Sequence, residues 1–121
     1  WYVAPGGGVE KGETLEEAFH REVHEETGTR TRFGEVLFIR EIIADRHPET
    51  HLAPGFHQVE INVRSELSRS TALATLTADP NQVGLEWVPL AKLGEILFFS
   101  RGLTAQFQRQ RWEEFYYGDV R

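Results

Sequence analysis

The chain of 121 residues has no cysteine, no methionine and only five prolines. Without cysteine, neither a disulfide nor a thiolate-bound zinc can form, so any metal must be held by oxygen or histidine ligands. Absent cysteine also fits a cytoplasmic compartment, which is the expectation here. No apolar run approaches the roughly 18 residues needed to cross a bilayer, and no basic-then-apolar leader opens the chain, so a soluble protein with no membrane partner is expected. Positive charge is in deficit: 13 Lys and Arg stand against 19 Asp and Glu, a net charge of −6. That balance argues against a long nucleic acid held on a basic face. The apolar opening WYV, with no initiator methionine, predicts that residues precede Trp1.

What is present suffices for one domain over residues 1–121: the composition is 40% hydrophobic, with eight Phe, three Trp and three Tyr to fill a core. The acidic excess is concentrated. Between Glu10 and Glu26 seven glutamates face only Lys11 and Arg21, a local charge of −5.

Residues 1–4 have the character of a strand end stopped by Pro5 and the glycines that follow. Thr14 and Glu17 have the spacing of a capping box, predicting a helix from Leu15 to Thr27 with Gly28 as its left-handed stop. Residues 33–44 are β-rich and apolar, and 45–56 form a polar, proline-containing loop. In 57–67, Val59, Ile61 and Val63 alternate with polar residues, predicting a half-buried strand with Glu60 on the face opposite the valines. A turn at Asp79–Asn81, a short strand over 85–90 and a C-terminal helix from Leu103 to Tyr117 complete the expectation. Strands and helices in this mixture predict the α+β class, with a mixed β-sheet between helices.

The acidic helix contains two kinds of glutamate. Advancing about 100° per residue, Leu15, Ala18, Phe19 and Val23 mark a buried arc. Glu22 and Glu26 fall inside that arc and Glu25 at its edge, whereas Glu16, Glu17, His20, His24 and Thr27 fall on the solvent side. Burying an ionised carboxylate costs several kcal/mol unless it is paired or bound to metal, and grouping three adds repulsion. One way out is an ion network through Arg21 and Lys11, but two cations do not match seven carboxylates. The other is a divalent cation, and hard oxygen ligands favour Mg²⁺, Mn²⁺ or Ca²⁺. The stretch lacks both the EF-hand spacing and the Gly-Lys-Ser/Thr ending of a P-loop. Carboxylates that hold metal, and metal that holds phosphate, would explain acidic residues after a glycine-rich turn.

Gly7, five residues, Glu13, seven residues, then REVHEETG from Arg21 to Gly28 resembles the Nudix box, G-x5-E-x7-R-E-U-x-E-E-x-G-U with U aliphatic. Every fixed position is met; Thr29 stands where the pattern ends on an aliphatic residue. The resemblance implies a Nudix hydrolase with an α/β/α sandwich that uses Mg²⁺, or Mn²⁺, to hydrolyse a nucleoside diphosphate linked to another group. Carried over by position, Glu22, Glu25 and Glu26 would hold metal, with Glu22 or a water ligand helping to activate the nucleophile. The Gly6 carbonyl would be a further ligand. Glu13 and Arg21 would form an ion pair bracing loop against helix.

Outside the box, Glu60 and then Glu86 are candidates for a further ligand or base, although Glu60 serves equally well as a solvated strand residue. His57 and His51 flank the long loop and could touch substrate or merely face solvent. Trp1 and Trp87 could stack on a base or pack structurally. The loop at 45–56 suits a lid or a homodimer contact. Two other functions are compatible with the fold: a module that senses a nucleotide without cleaving it, and an RNA 5′-end pyrophosphohydrolase. The intact set of box residues argues against the first and the acidic balance against the second.

Overall fold

A computed structural model of the protein describes residues 1–67, 72–74 and 82–121. The chain divides into two units: Trp1–Val3, Val36–Val63 and Val88–Arg121 form one, Ala4–Glu35 and Arg64–Trp87 the other. Helices and a mixed sheet make it an α+β protein.

The first unit is built on three strands, β1 (Val36–Ile43), β2 (His57–Val63) and β3 (Tyr116–Asp119), in the order β2-β1-β3. β1 is antiparallel to β2, with Arg40 opposite Glu60, and parallel to β3, with Ile39 opposite Tyr116. The apolar run of β1 alternates in burial, and Phe38 and Ile42 are almost fully enclosed. Phe38 is the hub of an aromatic cluster, with Phe107, Trp112 and Tyr117 at ring-centroid distances of 5.8, 5.6 and 5.6 Å. Burying one such side chain stabilises the fold by about 2–3 kcal/mol. Residues 45–56 are a loop apart from Asp45 and Arg46, which belong to the 3₁₀ turn Ala44–Arg46.

Three expectations for this unit fail. The predicted C-terminal helix is short: α2 (Thr104–Arg109) ends at Gln110, whose left-handed φ of 54° lets its N–H close onto Gln106 and Phe107. The aromatic residues beyond it look helical by spacing but are strong strand formers, and Tyr116 opens β3. Residues 85–90 do not form a strand; Pro89, which cannot donate to a ladder, instead caps the 3₁₀ helix Leu90–Glu95. In β2 it is Val59 and Ile61 that are exposed, at 59% and 42%. Glu60 turns to the buried side because Arg40 is there. The opening residues do pair, through a single parallel bridge from Tyr2 to Phe98.

The second unit carries α1 (Leu15–Thr27), with the predicted bounds. Thr14 accepts the Glu17 N–H at 3.1 Å, which satisfies one free donor of the first turn, and its hydroxyl donates to the Glu17 carboxylate at 3.1 Å. Gly28, at φ 70°, ends the helix by donating to the His24 carbonyl at 2.9 Å. A side chain there would also overlap the Ala74 carbonyl. Ala18 and Val23 are buried as expected, and Phe19 packs edge-on to Phe33 at 5.2 Å. Thr27, expected on the solvent side, is buried. Its carbonyl accepts the Ala74 N–H at 2.9 Å, so a later segment covers the helix end, and its hydroxyl turns inward to Val23 O at 2.5 Å. The turn expected at Asp79–Asn81 lies outside the described residues.

Candidate active site

The glycine-rich loop and α1 meet around one guanidinium. Arg21 donates through Nε and Nη2 to both oxygens of Glu13, at 2.7 and 2.8 Å, the fork geometry a carboxylate fits best. Nη2 also reaches the Gly8 carbonyl at 2.9 Å, fixing the loop backbone to the helix. Nη1 bonds Glu22 at 2.6 Å and lies 3.4 Å from Glu25, one turn on. Glu10 sits at the margin, 3.9 Å away.

The two kinds of glutamate separate in the folded chain. The side chains of Glu13 and Glu22 are 16% exposed, whereas those of Glu10 and Glu16 are 68% and 63% exposed. Glu25 is intermediate, as its edge position implied. Glu26 accepts the Gly6 N–H at 2.9 Å, a second tie between loop and helix. Glu22 lies so close to the Gly7 backbone that a Cβ on residue 7 would occupy the place of the carboxylate. Sequence reasoning identified Gly7 as a motif position without a reason for it. The reason is this contact.

Charge in the group is unequal. Hydrogen bonding to Arg21 holds the Glu13 carboxyl down at about 2, and Glu13 followed by Glu22 raises the Arg21 guanidinium above its usual value. Arg21 therefore supplies one permanent positive charge to at least Glu13, Glu22 and Glu25, and Lys11 forms no ion pair among the described residues. The arginine network foreseen as an alternative to metal does exist, but it leaves two of those three negative charges unmatched. Arg21 engages only Oε1 of Glu22 and Oε2 of Glu25, and the other oxygen of each makes no hydrogen bond among the described residues.

Among the described residues no three His, Asp or Glu side chains are grouped closely enough, as they stand, to hold an ion. The donor set nevertheless fits one. Its members are hard oxygens, its charge is in excess, and two of its carboxylates each keep an oxygen unengaged.

Candidates outside the box have partners of their own. Glu60 accepts from Arg40 Nε at 2.6 Å and from Gln58 at 3.1 Å. Arg40 is buried, reaches the carbonyls of Phe99 and Val120 and lies over the Phe99 ring, so the pair belongs to the first unit's core. His57 Nε2 is 2.6 Å from Glu41, which also accepts from the Tyr116 hydroxyl; the tyrosine, then His57, hold the Glu41 carboxyl below its ordinary range. Glu86 and His51 are exposed, and Trp87 is 44% exposed. Trp1 packs edge-on to Phe99 at 5.8 Å, the structural alternative foreseen for it.

Loop and helix together thus gather the acidic residues of one segment around Arg21. A family model described as NUDIX domain matches residues 1–110, and the chain belongs to the Nudix family. No curated protein and no solved structure matches it. Family membership makes it a hydrolase of pyrophosphate bonds in small, nucleotide-like nucleoside diphosphate derivatives, a class that typically employs divalent metals such as Mg²⁺. No helix among the described residues is long and apolar enough to cross a membrane.

Proposed function

We propose that this protein is a Mg²⁺-dependent pyrophosphohydrolase acting in the cytoplasm on a nucleoside diphosphate linked to another group. The observation that carries the reading is the set of inward-facing carboxylates on α1, left with excess negative charge after Arg21 is counted. Glu22, Glu25 and Glu26 would hold the metal, with the Gly6 carbonyl as a further ligand and Mn²⁺ as a substitute. When bound, a divalent cation neutralises diphosphate charge and lowers the pKa of a coordinated water.

The chain's own residues do the positioning. Glu13 fixes Arg21, and Arg21 sets the orientation of Glu22 and Glu25 through a single nitrogen. Gly7 gives Glu22 its place against the loop. An unengaged Glu22 oxygen can accept a proton as water attacks phosphorus. Of the candidates outside the box, exposed Glu86 is suited to substrate contact, while Glu60 and His57 are engaged by Arg40 and Glu41 within the first unit.

The test is turnover of a panel of nucleoside diphosphate derivatives with Mg²⁺, with chelator and with Glu22→Gln. Hydrolysis that depends on metal and disappears in the folded variant is the expected result. Full activity in Glu22→Gln sinks the mechanism, and ligand-induced stabilisation without turnover across the panel sinks the enzymatic reading.

A further inference from the structure

The five histidines of the chain are not used alike. His47 and His57 each have Nε2 committed to a carboxylate, Asp119 at 3.0 Å and Glu41 at 2.6 Å. Among the described residues, His20 and His24 have no such commitment: His20 Nε2 is 3.7 Å from Glu16, too far for a hydrogen bond, and the buried Nδ1 of His24 has no hydrogen-bond partner.

Both lie on α1, four residues apart, so they stand one above the other on the same helical face, with Cβ atoms about 5–6 Å apart. They line one open cavity of about 600 Å³, together with Glu17, Glu25 and Arg30. Two imidazoles at this spacing on a helix can grip one cation between them, as in zinc-binding helices with histidines at i and i+4. The surrounding charge favours a cation over an anion. Glu17 and Glu25 line the cavity against Arg30 and Arg21, but the charge of Arg21 is spent on Glu13 and Glu22, so the lining keeps a small acidic excess within a segment, 10–26, whose local charge is −5.

We propose that His20 and His24 form a binding site for a borderline divalent cation, Zn²⁺ or Ni²⁺, on the face of α1 away from Glu22 and Glu26. It has two protein ligands, with the remaining positions open to water, and does not require the three-residue cage that is absent among the described residues. Nitrogen ligands select Zn²⁺, Ni²⁺ and Cu²⁺, while the all-oxygen group of Glu22, Glu25 and Glu26 selects Mg²⁺. One helix thus presents two sites of different ligand chemistry. A cation held across His20 and His24 ties together the last two turns of α1, the part that carries the inward carboxylates.

The experiment is calorimetric titration of the whole chain with NiCl₂ or ZnCl₂ in excess Mg²⁺, with helix content checked by circular dichroism. Binding should be one-to-one. His20→Gln and His24→Gln should each weaken it by roughly 10²-fold, with little further loss in the double variant, because either change removes the second point of attachment. Cu²⁺ should show nitrogen coupling in its electron paramagnetic resonance spectrum that His24→Gln reduces. Equal affinity in the double variant overturns the proposal. So does an affinity lost in Glu22→Gln/Glu25→Gln and kept in the histidine variants, which would place the cation among the carboxylates. Neither readout depends on turnover, so the site stands or falls independently of the proposed hydrolysis.

Discussion

The Glu22 carboxylate occupies the space that a side chain on Gly7 would need. A loop glycine and a helix glutamate, 15 positions apart in the chain, therefore share one contact. Gly7→Ala should push Glu22 out of position while leaving the core of the unit, Ala18 and Val23, intact. Because small displacements of a reacting group can cost about 10²-fold in rate, kcat should fall by at least that order. Thermal unfolding should shift little. A variant that keeps its rate would show that the contact has no catalytic consequence.

Glu13 gives the fold a specific acid sensitivity. Its carboxyl titrates at about 2 in place of the ordinary 4.5, chiefly because Arg21 hydrogen-bonds its ionised form. A depressed folded-state pKa adds stability that is fully present above 4.5 and is lost as pH falls through about 2. Urea unfolding of the protein and of Glu13→Gln should therefore show a constant difference above pH 4.5, shrinking steadily below it. The pair is part-buried, so salt should reduce the difference only in part. A gap that is independent of pH over that interval would assign the stabilisation to packing.

Much of the second unit was legible from local chemistry. Thr14, Glu17 and Gly28 announce the ends of α1 because capping uses residues a few positions apart, and the helical period separates Glu22 from Glu16 without knowledge of any partner. What escaped depends on residues distant in sequence. Thr27 is buried because Ala74 covers it, and Arg21 holds the Gly8 carbonyl of the loop in addition to the carboxylates foreseen for it. Glu60 could not be placed from β2 alone, since alternation shows that two faces differ and Arg40 decides which is buried. The C-terminal error has another origin: aromatic spacing imitates a helix, but Gln110 turns left-handed and the residues beyond it join the sheet.

Gly28 tests the helix stop. Its φ of 70° is one that a side chain resists, and a Cβ would meet the Ala74 carbonyl as well. The left-handed conformation alone costs a non-glycine residue roughly 1–2 kcal/mol, so Gly28→Ala should lose at least that in chemical denaturation. Hydrogen exchange should locate the loss at Thr27 and Ala74, whose backbone bond lies next to it. An unchanged denaturation midpoint would mean that the chain relaxes around the substitution.

Arg40 and Glu60 make the complementary test in the first unit. The arginine side chain is 3% exposed and the glutamate 22%, and their bond is 2.6 Å long. Among the described residues, removing the acid leaves the buried guanidinium with the Val120 and Phe99 carbonyls and the Phe99 ring as partners. Glu60→Ala should therefore cost roughly 2–4 kcal/mol, towards the lower side of a fully buried pair because Glu60 keeps some solvent. Arg40→Met should also destabilise, yet the double variant should lose clearly less than the sum of the two, with a coupling of about 1–3 kcal/mol. A solvated strand carboxylate would give neither the loss nor the coupling. A Mg²⁺ titration of Glu60→Gln completes the comparison, since an acid held by Arg40 for structure should lower stability without moving the metal concentration at half-maximal rate.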